Sequence, residues 1–327
     1  MAQSDAGRQA ASPRQKAAHD AGRPVRFPAT DGYPLGGFVW RAEAGKTGAE
    51  KRPVVVITSA TSVRCRYYAR FAAYLFEHGF DVLTYDYRGI DQSRPARLRG
   101  FAADWADWGE KDCEGALRFA AEHFGPRPIS IVAHSIGGFA FGLAPSAQGV
   151  TRIFTVGAQY AHWRDYAARP KYRMLWKYHV VMPLMTAVFG YFPARRLGWM
   201  EDTPAGVARD WSRMRARFED TIRPGRRIDG HREADLLKEH MAGITAPILA
   251  VSLSDDPHGT IPAVERLLAY FTGSERSHLH LHPGDIGHAA IGHFAFFHDR
   301  FRDTLWPLAL AWLRDGTVPE AFRHRLL

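Results

Sequence analysis

A chain of 327 residues, 46% of them hydrophobic, is long enough for one large or two smaller α/β domains whose core needs no covalent staples. Two cysteines, Cys65 and Cys113, exclude a disulfide scaffold and cannot alone complete a tetrahedral metal site, so both read as buried free thiols in a reducing compartment. The net charge of +9 is scattered, with arginines beside acids as at Arg94, Arg97, Arg99 and Asp104; this argues for solvated faces, not a nucleic-acid surface, and leaves a weak attraction to anionic surfaces or substrates.

Residues 1–22 are polar and no apolar run follows them, so they read as a disordered tail and not a secretory signal, and the chain as cytoplasmic. Residues 25–41 carry Asp31-Gly32 between two strand-like runs, which predicts an antiparallel hairpin. The run Val54-Val55-Val56-Ile57 is apolar without alternation, as expected of a strand covered on both faces. A helix is expected over 66–78, ended by Gly79, then a strand over 80–85 and a tight loop over 86–89. A long helix over 104–123 precedes the strand 129–132, and a further strand is expected at 153–156. This repetition of strand and helix implies a mostly parallel sheet with helices on both faces.

The rhythm breaks over 159–243, where aromatic residues crowd together and Pro183, Pro193 and Pro204 interrupt helical patterns. This segment reads as a helical cap between two parts of one core, 23–158 and 244–327. The stretch 174–192 approaches membrane length but contains Lys177, His179 and Pro183, which argues against a spanning helix. Regular structure resumes with a strand at 247–251, a helix near 263–271, a strand at 277–281 and a last helix over 301–313.

The chemistry concentrates at 133–138, Ala-His-Ser-Ile-Gly-Gly, directly after a strand. This is the pattern of a sharp strand-to-helix turn with Ser135 at its apex, the small residues at 133 and 137 being needed for close backbone approach. A serine hydroxyl needs an adjacent base to become nucleophilic, and the base needs an orienting partner. In chain order the acid is expected after a late strand, at Asp256 with Asp255 as the alternative. The base is expected at His293, with His288 as the alternative. His134 is too close in sequence to serve and is expected to brace the turn from beneath. Two backbone N–H groups are expected to hold a developing oxyanion: Ile136, after the serine, and Thr61, in the small-residue loop after the strand 54–57. No HExxH or glycine-rich phosphate loop competes, and no metal or cofactor is implied.

The stretches 66–75, 83–90, 133–138, Asp255-Asp256 and 291–297 together resemble the α/β-hydrolase superfamily. The nearer resemblance is to bacterial predicted hydrolases beside the serine aminopeptidase and monoglyceride-lipase-like branch. It implies a mostly parallel sheet of about eight strands with an inserted helical lid, a metal-free triad of Ser135, Asp256 and His293, and an oxyanion hole from Ile136 and Thr61. Ala133 stands where the family usually has glycine, and Ser59-Ala60 where it usually has His-Gly. The expected activity is hydrolysis of a small-molecule ester, thioester or lactone with an apolar acyl or aryl group. The rivals are acyl transfer by the same residues and a non-catalytic binding module.

Overall fold

The computed structural model describes residues 22–43, 45 and 48–327. The expected N-terminal tail therefore lies outside the described residues, apart from Gly22. Eight strands form one sheet: β1 (Arg23–Pro28), β2 (Pro34–Trp40), β3 (Val54–Thr58), β4 (Asp81–Tyr85), β5 (Ile129–His134), β6 (Ile153–Val156), β7 (Ile248–Leu253) and β8 (Arg276–Leu281). Their order is β1-β2-β4-β3-β5-β6-β7-β8. β2 runs antiparallel to both neighbours and every other pair is parallel. This is the α/β-hydrolase fold, with helical insertions.

The central strands are apolar on both sides because both sides are covered. Val54 and Val56 enter one core with Trp105, Trp108 and Phe139, while Val55 and Ile57 enter the other with Phe71, Phe296 and Trp306. Each such side chain, fully buried, contributes about 1.5–3 kcal/mol. Cys65 and Cys113 are buried free thiols.

Several helices differ from their sequence-based bounds for local reasons. The helix expected over 66–78 opens with a 3₁₀ turn at Cys65–Tyr68 and becomes α-helical over Ala69–Glu77. The one expected over 104–123 begins as a π-helix, Asp107–Cys113, and continues as Glu114–Phe124. The last long helix is Trp306–Asp315 and not 301–313, because Pro307 fits only the first turn of a helix and sets the start.

Between β6 and β7 the chain leaves the sheet. It forms helices at Lys171–Leu175, Met182–Phe189, Ala205–Arg213 and Glu233–Ala242, and two short strand pairs, Tyr191–Phe192 with Thr203–Pro204 and Arg227–Ile228 with His231–Arg232. Arg223 ties this insertion to the core through Asp104, Asp107 and Glu110, while also holding Glu233 of the insertion itself. Among the described residues, no helix is long and apolar enough to cross a membrane.

Candidate active site

Ser135, Asp256 and Thr61 each follow the carboxyl end of a parallel strand (β5, β7 and β3), the edge where open α/β sheets bind ligands. Ser135 sits at φ +55°, a conformation that costs a non-glycine residue about 1–3 kcal/mol and that persists only when its surroundings enforce it. They do: Ser135 N–H donates to Val156 O at 3.0 Å, and Ser135 O accepts from the Gly138 and Gln159 N–H groups at 3.0 and 3.3 Å. Gly137 is required for a reason outside the turn itself. A Cβ there would lie 2.4 Å from the Thr58 carbonyl oxygen on β3.

His134 is fully buried beneath the turn. Its Nε2–H donates to the His293 carbonyl at 2.8 Å, so its Nδ1 accepts from the Tyr68 hydroxyl at 2.8 Å. Burial, reinforced by the neighbouring His293, lowers its pKa to about 3, and it stays neutral. His134 thus links the serine turn directly to the backbone of the histidine loop.

His293 Nδ1 and Asp256 Oδ2 are 2.7 Å apart. The other carboxylate oxygen accepts from the His258 and Gly259 N–H groups at 2.7 and 2.9 Å. Burial raises the Asp256 pKa, but His293 and these amides outweigh it and hold the carboxyl at about 2. A carboxylate so held orients Nδ1–H toward itself and leaves Nε2 of His293 to accept a proton. Asp255 does different work. Its Oδ2 accepts from Ile291 and Gly292 N–H groups at 2.7 and 2.9 Å, which anchors the loop carrying His293. His288 lies against Phe301, with ring centroids 4.8 Å apart. Neither alternative residue is brought to the Asp256–His293 pair.

Ser135, Ile136, Thr61 and His293 line one small cavity of about 20 Å³, room for about one water. Ala60 also lines it, but its N–H donates to the Tyr68 hydroxyl at 3.0 Å. The insertion closes the cavity with Tyr178, Met200 and Trp211. A second cavity of about 990 Å³ lies outside it, and Tyr178, His258 and Phe294 belong to both walls.

Two residues at this site escape the sequence reading. Gln159 is buried and its Nε2 donates to Ser135 Oγ at 3.3 Å, while its Oε1 accepts from Ala161 N–H. His258 lies against His293 and Tyr178, with ring centroids 4.8 and 5.6 Å away and the rings tilted, and burial, with His293 beside it, lowers its pKa to about 3. Position after a strand end was the available signal for both: Gln159 follows β6, and His258 follows β7 by a few residues.

Residues 49–284 match the model of the serine aminopeptidase, S33 family, a span that includes Ser135 and Asp256 and ends before His293. The chain belongs to that family. This S33 member is a serine hydrolase that works through an acyl-enzyme. No curated protein matches its sequence. Among solved structures it resembles a Pyrococcus furiosus esterase, with a TM-score of 0.53 and 12% identity over 89% of this chain and 91% of that one. It resembles DcsB, solved with a substrate analogue, with a TM-score of 0.55 and 13% identity over 90% and 100% of the two chains. A puromycin hydrolase gives a TM-score of 0.54 and 18% identity over 94% of this chain and 41% of that one. At these identities the likeness is one of fold.

Proposed function

We propose that this serine hydrolase cleaves a small carboxylic ester with an apolar acyl or aryl group, using Ser135, His293 and Asp256. Ser135 Oγ attacks the carbonyl carbon as its proton passes to His293 Nε2. The C–O bond to the leaving alcohol then breaks, and the alcohol takes the proton from His293. Water attacks the acyl-enzyme by the reverse roles and releases the acid. Asp256 stays ionised throughout and steadies the imidazolium. Removing a positioned base of this kind costs about 10²–10⁴ in rate.

The oxyanion would meet the N–H groups of Ile136 and Thr61. The engagement of Ala60 N–H with Tyr68 supports Thr61 as the second donor. Each such donor is worth about 10²–10³ in kcat. The observation that carries the reading is that His293, bonded to Asp256 at 2.7 Å, lines the same cavity as the strained Ser135. The aromatic walls supplied by Tyr178, Trp211 and Phe294 favour an apolar acyl or aryl group.

Activated aryl esters of increasing acyl length should give a burst of phenolate, and a fluorophosphonate should add one equivalent of mass to Ser135. Ser135→Ala should abolish both. Ligand binding without labelling would instead mean a binding module, and new ester or amide formation on adding an alcohol or amine would mean acyl transfer.

A further inference from the structure

The outer cavity carries three cationic side chains that no acid among the described residues pairs with. Arg169, Arg173 and Lys177 all line it: Arg169 in the turn before the helix Lys171–Leu175, Arg173 within that helix, and Lys177 in the π-helical segment Trp176–Val181 that continues it. Among the described residues, the side chain of none of the three makes an ion pair or donates a hydrogen bond. The two acids in the same wall are committed elsewhere, Asp256 to His293 and two amides, Asp255 to the amides of Ile291 and Gly292.

Lys177 is the most telling of the three. It is half-buried, with Nζ 3.8 Å from the Trp199 ring centroid and 5.0 Å from that of Tyr178. Two aromatic faces hold the cation in the wall of the cavity. Burial, with Arg173 nearby, lowers its pKa, as expected of an ammonium group that has lost water without gaining an anion. Tyr178 is also a wall of the inner cavity with Ser135. An ester bound at Ser135 would therefore reach this cluster from the far end of a short apolar chain.

We propose that the outer cavity recognises an anionic terminus, a carboxylate or phosphate carried at the end of the substrate's apolar portion, through Arg169, Arg173 and Lys177. The inference deepens the ester reading and rests on it. It also sets the chain against substrates with a free ammonium group, which the same three cations repel.

Four aryl esters sharing one medium-length acyl chain, ending in methyl, carboxylate, phosphate or ammonium, test this. The wild-type kcat/KM for the carboxylate or phosphate ester should exceed that for the methyl ester about tenfold, mainly through KM. The ammonium ester should fall below the methyl ester. The preference should shrink as salt shortens the Debye length from about 30 Å to about 3 Å. Arg173→Gln should lower the anion-to-methyl ratio, and the triple variant Arg169→Gln, Arg173→Gln, Lys177→Gln should bring it near one. A ratio near one in the wild type, or an unchanged ratio in the triple variant, overturns the proposal. The carboxylate and phosphate arms distinguish the two anions. Calorimetric titration of Ser135→Ala with the same esters separates the two readings. Anion-selective binding with no wild-type turnover of any ester sinks the ester reading alone; turnover without charge preference sinks this one alone.

Discussion

Replacing Gly157 with alanine tests how tightly the Asp256–His293 pair is held. Gly157 follows β6 at φ +55°, where a side chain costs about 1–3 kcal/mol. Its new Cβ would lie 2.7 Å from Asp256 Oδ2 and 3.2 Å from His293 Nδ1, well inside ordinary contact. The backbone cannot retreat easily, because Gly157 N–H donates to Val251 O at 2.8 Å and Gly259 is pressed against it: a Cβ on Gly259 would sit 2.5 Å from the Gly157 Cα. The carboxylate cannot swing freely either, because its Oδ1 is held by two amides. The hydrogen bond to His293 must lengthen. Misplacing a catalytic group by about 1 Å costs about 10² in rate, and losing the orienting carboxylate costs about 10⁴. Gly157→Ala should therefore lower kcat by about 10²–10⁴, with a parallel fall in the rate of fluorophosphonate labelling. Steady-state aryl-ester hydrolysis reads the first, and urea unfolding checks that the variant is folded. A folded variant within about threefold of wild-type kcat would refute the reasoning.

Three further outcomes follow from the same geometry. Asp256→Asn should lower kcat by about 10⁴ while the serine hydroxyl remains in place, and retention of more than a tenth of wild-type activity would contradict its role. Asp255→Ala should leave Ile291 and Gly292 N–H groups without their acceptor, cost about 1–3 kcal/mol in urea unfolding, and reduce kcat less than Asp256→Asn does. Burial pushes the Asp86 carboxyl up to about 7, against the N–H groups of Cys65 and Gln92 that favour its charged form. An acid raised in the folded state keeps its proton where the unfolded chain has lost it. Its stabilising contribution is therefore full below about pH 4 and lost as pH rises through about 7. Histidines held neutral by burial, such as His134 and His258, change stability in the opposite sense over the same range, so the comparison is with Asp86→Asn: the stability of the wild type relative to that variant in denaturant unfolding should be lower at pH 8 than at pH 5, and a relative stability that stays constant or rises would contradict a raised Asp86.

Much of this molecule is written locally. The unalternating run Val54–Ile57 announces a strand covered on both faces, and Ala133 to Gly138 announces a tight turn into a helix. Both are legible because their causes lie within a few residues: burial period, backbone freedom and strand-to-helix geometry. The alternation of strands and helices then requires a parallel sheet, which gathers the loops after β3, β5, β6 and β7 at one edge.

Other features have no local cause. Asp255 and Asp256 are chemically alike and adjacent, and only the folded loop turns one toward the His293 ring and the other toward the backbone of Ile291 and Gly292. Gly137 is small because of Thr58 on another strand, and Gly157 because of Asp256 and His293. Nearby residues suffice for the turn at Ser135, for the placing of Asp255, Asp256 and His293 after it in the chain, and for the layered sheet. Packing of distant segments is what turns Asp256 toward the His293 ring, brings Gln159 and His258 beside Ser135 and His293, and sets Arg169, Arg173 and Lys177 in the wall of a cavity. The physical reason is that side-chain direction in a loop is set by contacts with distant segments, and those exist only once the sheet and its insertion have packed together.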